Sequence, residues 1–171
     1  MEQVTTHILD LGHRRIAYAG SNPASIEGQQ RYRGFASTLW NRGLELPLDW
    51  VFSAPLRADS GERRFKRVFS QPDHPTALVC ASDLLAAEAL SLLRLLGVQC
   101  PAQVAVVGMG DRDFAEALCP SLTTYRVDCA SLGAAAADML SELLDGHTVG
   151  NRIVAGELVL RESCGARFSR F

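Results

Sequence analysis

The chain has 171 residues, 47% hydrophobic and 21% charged, with a formal net charge of −2 at pH 7. That length suits about one domain with a real core, and the near-neutral balance excludes the basic footprint of a nucleic-acid-binding module. Five scattered cysteines form no C-x-x-C pair, the N-terminus has no apolar signal core, and no apolar run approaches the ~18 residues of a membrane span. The expectation is a soluble, cytoplasmic protein with reduced thiols.

Residues 4–11 read as the end of a helix closed by Gly12. Residues 15–19, RIAYA, form a strand that runs into the loop signal Gly20-Ser21-Asn22-Pro23. A helix over 29–42 carries Phe35, Leu39 and Trp40 as apolar positions and ends at Gly43. After a short strand at 50–53, a helix over 59–70 turns Phe65, Val68 and Phe69 inward and leaves Arg63, Arg64, Lys66 and Arg67 largely in solvent. Pro72 and Pro75 break it.

The apolar run 76–81 follows, with Ser82 and Asp83 as a helix start. The helix 84–96 stops at Gly97, and a second apolar run, 104–107, ends in Gly108-Met109-Gly110-Asp111. Another strand begins at 122–125, an alanine-rich helix spans 132–144, and 153–161 supplies closing β structure. The tail 165–171 reads as fraying.

Two continuous apolar strands joined by a crossover helix specify a parallel sheet covered on both faces. The full alternation is an α/β, doubly wound layout. Such sheets carry ligands at the carboxyl ends of their strands, which places Ser82, Asp83, Gly110 and Asp111 on the rim of a cleft. The chain also starts inside a helix with no strand ahead of it, so residues upstream are expected to be missing.

Enzyme chemistry finds no support. A dinucleotide fingerprint starting at Gly108-Met109-Gly110 would need glycine where Asp113 stands, and an acid there repels pyrophosphate. There is no G-x-S-x-G elbow. His7, His13, His74 and His147 lack metal-ligand spacing with acids or cysteines. Neither a catalytic constellation nor a cofactor or metal site is expected, and His13 in its G-H-R-R turn reads as a structural hydrogen-bonding residue.

The runs LGHRRIAYAG, Arg31-Tyr32-Arg33-Gly34-Phe35, ALVCASDLLA, GVQCPAQVAVVGMGD, PSLTTYRVD with Leu132-Gly133, and LVLRES occur in one order. From about residue 5 to 163 they resemble the LacI/GalR family of bacterial transcription regulators. The resemblance implies a type I periplasmic-binding-protein-like core, truncated. Residues from about 13–120 and 153–164 would be its C-terminal subdomain. Residues 123–150 would be elements of an otherwise missing N-terminal subdomain. It also implies a homodimer, a small sugar or sugar-acid effector, no membrane, and operator DNA bound only through a helix-turn-helix absent from this chain. The alternative on the same fold is a transport-type solute receptor.

By that resemblance Arg31 grips effector hydroxyls or a carboxylate, while its bland reading is a solvated helix arginine. Ser82 faces ligand with a short reach, and Asp83 reads rather as a helix cap. Gly110 stands where sugar-binding members have the first of two acids, leaving Asp111. The change suits an acidic effector, and it equally suits a larger ligand that needs room. Leu56, placed by its spacing to Ser60-Gly61, replaces a ring-stacking aromatic. The helix 84–96 is apolar on almost every side, interrupted by Glu88, Ser91 and Arg94, and so is expected to be buried on two faces. With the segment 113–118 it would form the dimer interface, through Leu85, Glu88, Ala89, Leu92 and Phe114. The helix 132–144 would then expose an apolar stripe, Leu132, Ala136, Met139, Leu140 and Leu143, for want of a sheet to cover.

Overall fold

The computed structural model describes residues 1–20 and 24–166. The loop signal at residues 21–23 and the tail beyond 166 lie outside the described residues. The described residues hold five α-helices and six strands in chain order: α1 (Glu2–Asp10), β1 (Ile16–Gly20), α2 (Ile26–Trp40), β2 (Val51–Ser53), α3 (Asp59–Phe69), β3 (Ala77–Cys80), α4 (Asp83–Leu95), β4 (Ala105–Gly110), β5 (Thr123–Arg126), α5 (Cys129–Leu144) and β6 (Glu157–Val159). The strands form one sheet in the order β2-β1-β3-β4-β5-β6. All neighbours are parallel except β5 and β6, which are antiparallel.

The apolar strand runs became the centre of the sheet. All five residues of β1 and all four of β3 are buried, as expected of strands covered on both faces. Helices α1 and α2 pack together on one face, with contacts to β3 and β1, and α3 and α4 pack together on the other. The core is filled by Phe35 from the first face and by Phe65, Phe69, Leu92 and Leu93 from the second. Each such side chain contributes about 1.5–3 kcal/mol by leaving water.

Glycines end the helices where the sequence places them. After α4, Gly97 adopts φ +71°, its N–H donates to the Arg94 carbonyl at 3.1 Å, and the Val98 N–H donates to Leu93 at 3.0 Å. That pair of bonds satisfies carbonyls the helix itself leaves open. Among the starts, Ser25 caps α2 by accepting from the Gly28 N–H, and Asp128 caps α5 by accepting from Ser131. His13 bonds Thr76 through Nδ1 at 3.0 Å, joining the turn before β1 to the turn before β3. The buried thiols are Cys80 and Cys164; none of the five cysteines is in a disulfide, and burial pushes the Cys80 thiol up.

Helix α5 stands apart. None of its residues is buried, and Leu132, Leu140, Leu143 and Leu144 are 49%, 58%, 53% and 80% exposed. Its amphipathic stripe is present, and none of the described residues covers it. The strand before it stays in the sheet, since β5 pairs with β4 from Val107↔Thr123 to Gly110↔Arg126. The chain leaves the sheet at Val127.

Candidate functional site

Chain connectivity decides where a ligand site can form. From β1 the chain moves outward through α2 to the edge strand β2, then crosses under through α3 to β3 and continues through α4 to β4. Direction therefore reverses between β1 and β3, and in such sheets the crevice lies at the carboxyl ends of those two strands. The ends meet there directly, the Ala81 N–H donating to the Ala19 carbonyl at 2.8 Å.

Arg31 reaches this point from the second turn of α2. Its guanidinium donates to the Ala81 carbonyl and pairs with Glu27 one turn earlier. A guanidinium has five N–H donors, so these two partners fix its plane without exhausting it. Beside it lies a hollow of about 310 Å³ lined by Glu2, Gln30, Gly34 and Tyr125 among others. The Tyr125 hydroxyl accepts from the Gly156 N–H at 2.9 Å, which pins the far wall to the segment before β6.

Ser82 is the N-cap of α4, its Oγ accepting from the Leu85 N–H at 3.3 Å. It remains half-buried on the rim, next to the carbonyl that Arg31 holds. Asp83 is not the cap expected of it. It is the first residue of α4 and is fully buried, and its carboxylate accepts from the Arg112 N–H at 2.7 Å and from the Thr124 hydroxyl at 2.5 Å. It ties α4 to the turn after β4 and to β5.

That tie explains both glycines of the turn. A β-carbon on Gly108 would lie 2.3 Å from Asp83 Oδ1. Gly110 has φ +134°, a conformation that L side chains rarely adopt, with Asp83 Oδ2 3.4 Å from its β-carbon position. Glycine at 110 is thus a backbone requirement here, without reference to ligand size or charge.

Asp111 is committed to protein partners. Arg126 donates to its Oδ2 from Nε at 2.7 Å, and Arg161 pairs with Oδ1 at 2.8 Å. Burial alone would raise this carboxyl, but the two guanidiniums outweigh it and hold it below the usual carboxylate value. Arg126 also donates to Glu157 at 2.7 Å. These partners come from β5, β6 and the segment after it, and no spacing in the chain announces them.

Two groups of expected site residues need correction. Leu56 is fully buried; its N–H donates to the Glu88 carboxylate at 2.8 Å and its side chain is part of the core. It cannot press on a ligand in the cleft. On α4, Leu85, Ala89 and Leu92 are 4%, 0% and 0% exposed, turned into the chain's own core, and Glu88 is engaged with Leu56. The face α4 offers outward carries Leu84 and Leu95, each 63% exposed, eleven residues apart and so on one side of the helix. Phe114 is 39% exposed. The helix buries one broad side rather than two opposite ones.

Among the described residues no group of histidines, cysteines and acids could hold a metal ion, and no helix is long and apolar enough to cross a membrane. Residues 5–164 match the family model of the periplasmic binding protein-like domain. The HTH-type transcriptional repressor PurR of Mannheimia succiniciproducens is 29% identical over 160 residues, which are 92% of this chain and 48% of that protein. The crystal structure of a LacI family transcriptional regulator from Mycobacterium smegmatis superposes with a TM-score of 0.82 at 34% identity, over 95% of this chain and 61% of the other. The lac repressor dimer bound to operator and an anti-inducer superposes with a TM-score of 0.85 at 27% identity, over 95% and 49%. The chain spans about half the length of the repressors it matches. With this switch-point sheet, and with Arg31 at its mouth, the chain belongs to the periplasmic binding protein-like domain family, in the form that domain takes in LacI/GalR-type regulators.

Proposed function

We propose that the chain is the effector-sensing and dimerising part of a cytoplasmic LacI-type transcription regulator, taking a sugar-like or sugar-acid ligand at the carboxyl ends of β1 and β3. The observation that carries this reading is Arg31, held at the switch point by the Ala81 carbonyl with donors to spare beside an open hollow. Ser82 supplies a hydroxyl on the same rim. Asp111 is already engaged by Arg126 and Arg161, so its first role is to hold the turn rather than to meet effector hydroxyls. The free donors of Arg31 favour an acidic ligand over a neutral sugar.

In this reading residues 13–120 and 153–164 are one subdomain of a two-part core, and α5 is a piece of the other. An exposed leucine stripe on an otherwise well-packed chain supports that division. DNA is read by a segment outside these residues, in keeping with the net charge of −2. Two copies would meet through the outward side of α4, at Leu84 and Leu95, with Phe114. Effector binding changes DNA affinity only if it favours one arrangement of the two parts over the other. The transport-receptor alternative draws no support from relatives that are repressors.

Isothermal titration with D-galacturonate, D-gluconate and D-galactose, on the chain and on Arg31→Ala, tests the reading. Binding of an acid that vanishes in Arg31→Ala, while the melting temperature is kept, supports it. Equal binding by both proteins would remove Arg31 from the site.

A further inference from the structure

Arg31 carries an acid of its own. Glu27 stands one turn earlier on α2 and its carboxylate pairs with Arg31 Nη2, while Nη1 donates to the Ala81 carbonyl. A glutamate four residues ahead of a basic residue is the favourable order for such a pair on a helix. Ser25 caps that helix by accepting from the Gly28 N–H, which holds the first turn that bears Glu27.

The shape of the guanidinium makes this pairing consequential. A carboxylate grips it with two parallel bonds, either end-on through Nη1 and Nη2 or side-on through Nε and Nη2. Nη2 belongs to both edges, and it is the nitrogen that Glu27 holds. An incoming acid therefore shares that nitrogen with a like charge or takes it over. Glu27 can yield it, because its side chain is 66% exposed and regains water as it leaves. The Arg31 side chain is 24% exposed and stays anchored on Ala81.

We propose that Glu27 is a specificity-determining residue of the effector site: its carboxylate competes with the effector's acid group for Arg31 and is displaced when an acid binds. The inference rests on the effector-sensing reading and deepens it. Glu27 lowers the affinity for every carboxylate and leaves that for neutral polyols unchanged. The site is thereby restricted to acids whose remaining contacts offset the displacement.

A purely structural Glu27 predicts the opposite sign. It lies in the first turn of α2, where a negative charge favours the helix. Removing that charge would loosen α2 and weaken binding, whereas removing a competitor tightens it.

The experiment is an acetate titration at constant ionic strength, read by NMR at the Arg31 guanidinium nitrogens and assigned by their loss in Arg31→Lys. It compares the chain with Glu27→Gln, which keeps the shape and loses the charge. The expected result is a midpoint roughly two- to fivefold lower in Glu27→Gln, the equilibrium value of an exposed ion pair. That advantage should shrink when sodium chloride brings the ionic strength to about 1 M, where the screening length is ~3 Å. D-galactose, the neutral control, should gain nothing from the substitution. An equal or higher midpoint in Glu27→Gln, or an equal gain for D-galactose, overturns the role of Glu27 while Arg31 keeps its place as the acid contact. No response of Arg31 to acetate in either protein removes the acid grip itself, and the inference falls with it.

Discussion

The Thr124 hydroxyl donates to Asp83 Oδ1 at 2.5 Å, joining the first residue of α4 to the middle of β5 across the intervening strand. Both residues are fully buried. The same carboxylate receives the Arg112 N–H, so one side chain fixes the position of a helix, a strand and the turn that bears Gly110 and Asp111. Asp83→Ala should cost about 2–4 kcal/mol, because it deletes two charge-assisted bonds and leaves a buried hydroxyl and a backbone N–H unpaired. Urea unfolding of the variant measures this. A cost near zero would show that water or a shifted turn replaces the carboxylate.

Asp111 should make stability depend on acid. Its folded pKa lies below the ordinary carboxylate value, so its contribution is fully present above about 4 and is lost as the pH falls through the folded value. Glu162, held low by the Ser121 N–H and hydroxyl, acts in the same direction. The isolating measurement is the difference between the chain and Asp111→Asn in urea midpoint against pH. That difference should shrink steadily below pH 4 and be flat above it.

The two sides of α4 should respond oppositely to substitution. Leu92, with no exposure, should lose about 2–5 kcal/mol on going to alanine. Leu95→Glu, at 63% exposure, should stay within about 0.5 kcal/mol. In a light-scattering dilution series Leu95→Glu and Leu84→Glu should shift any dimer toward monomer with unchanged melting temperature. A charge at Leu92 would report on folding instead.

Helix α5 offers a contrast within the same molecule. Leu140→Glu and Leu143→Lys should each change the stability of the sheet by less than about 0.5 kcal/mol, since both side chains are more than half exposed. Chemical denaturation followed by tryptophan emission checks this, as Trp40 and Trp50 both lie outside α5. A large loss would mean that α5 is covered in solution.

The layout of this fold was legible because its two central strands, β1 and β3, are wholly buried. Runs such as ALVC and AVV have no polar alternation to confuse them, and glycines at 97 and 146 stop helices where they should. Arg31 was singled out through its motif, and its guanidinium donates to the Ala81 carbonyl just after β3. What failed was direction around an axis. On α4, apolar residues occupy nearly every side, so no moment marks which leucines meet the sheet; Leu92 and Leu95 look alike until the sheet is placed. Leu56 failed for a similar reason: spacing put it in the right loop, but a bond from its N–H to Glu88 turns the side chain inward. The Asp111–Arg126–Arg161 cluster joins residues up to fifty positions apart, which only the pairing of β4, β5 and β6 brings together.

The margins of the sheet carry their own consequence. Its two border strands, β2 and β6, are three residues each, against six for β4 inside. Backbone donors and acceptors left open at the rims are therefore few, and a neighbouring chain finds almost no template on which to add a strand. Self-association of this chain is thereby steered away from ribbon-to-ribbon growth of the amyloid kind, leaving contact between side-chain surfaces as the route open to it.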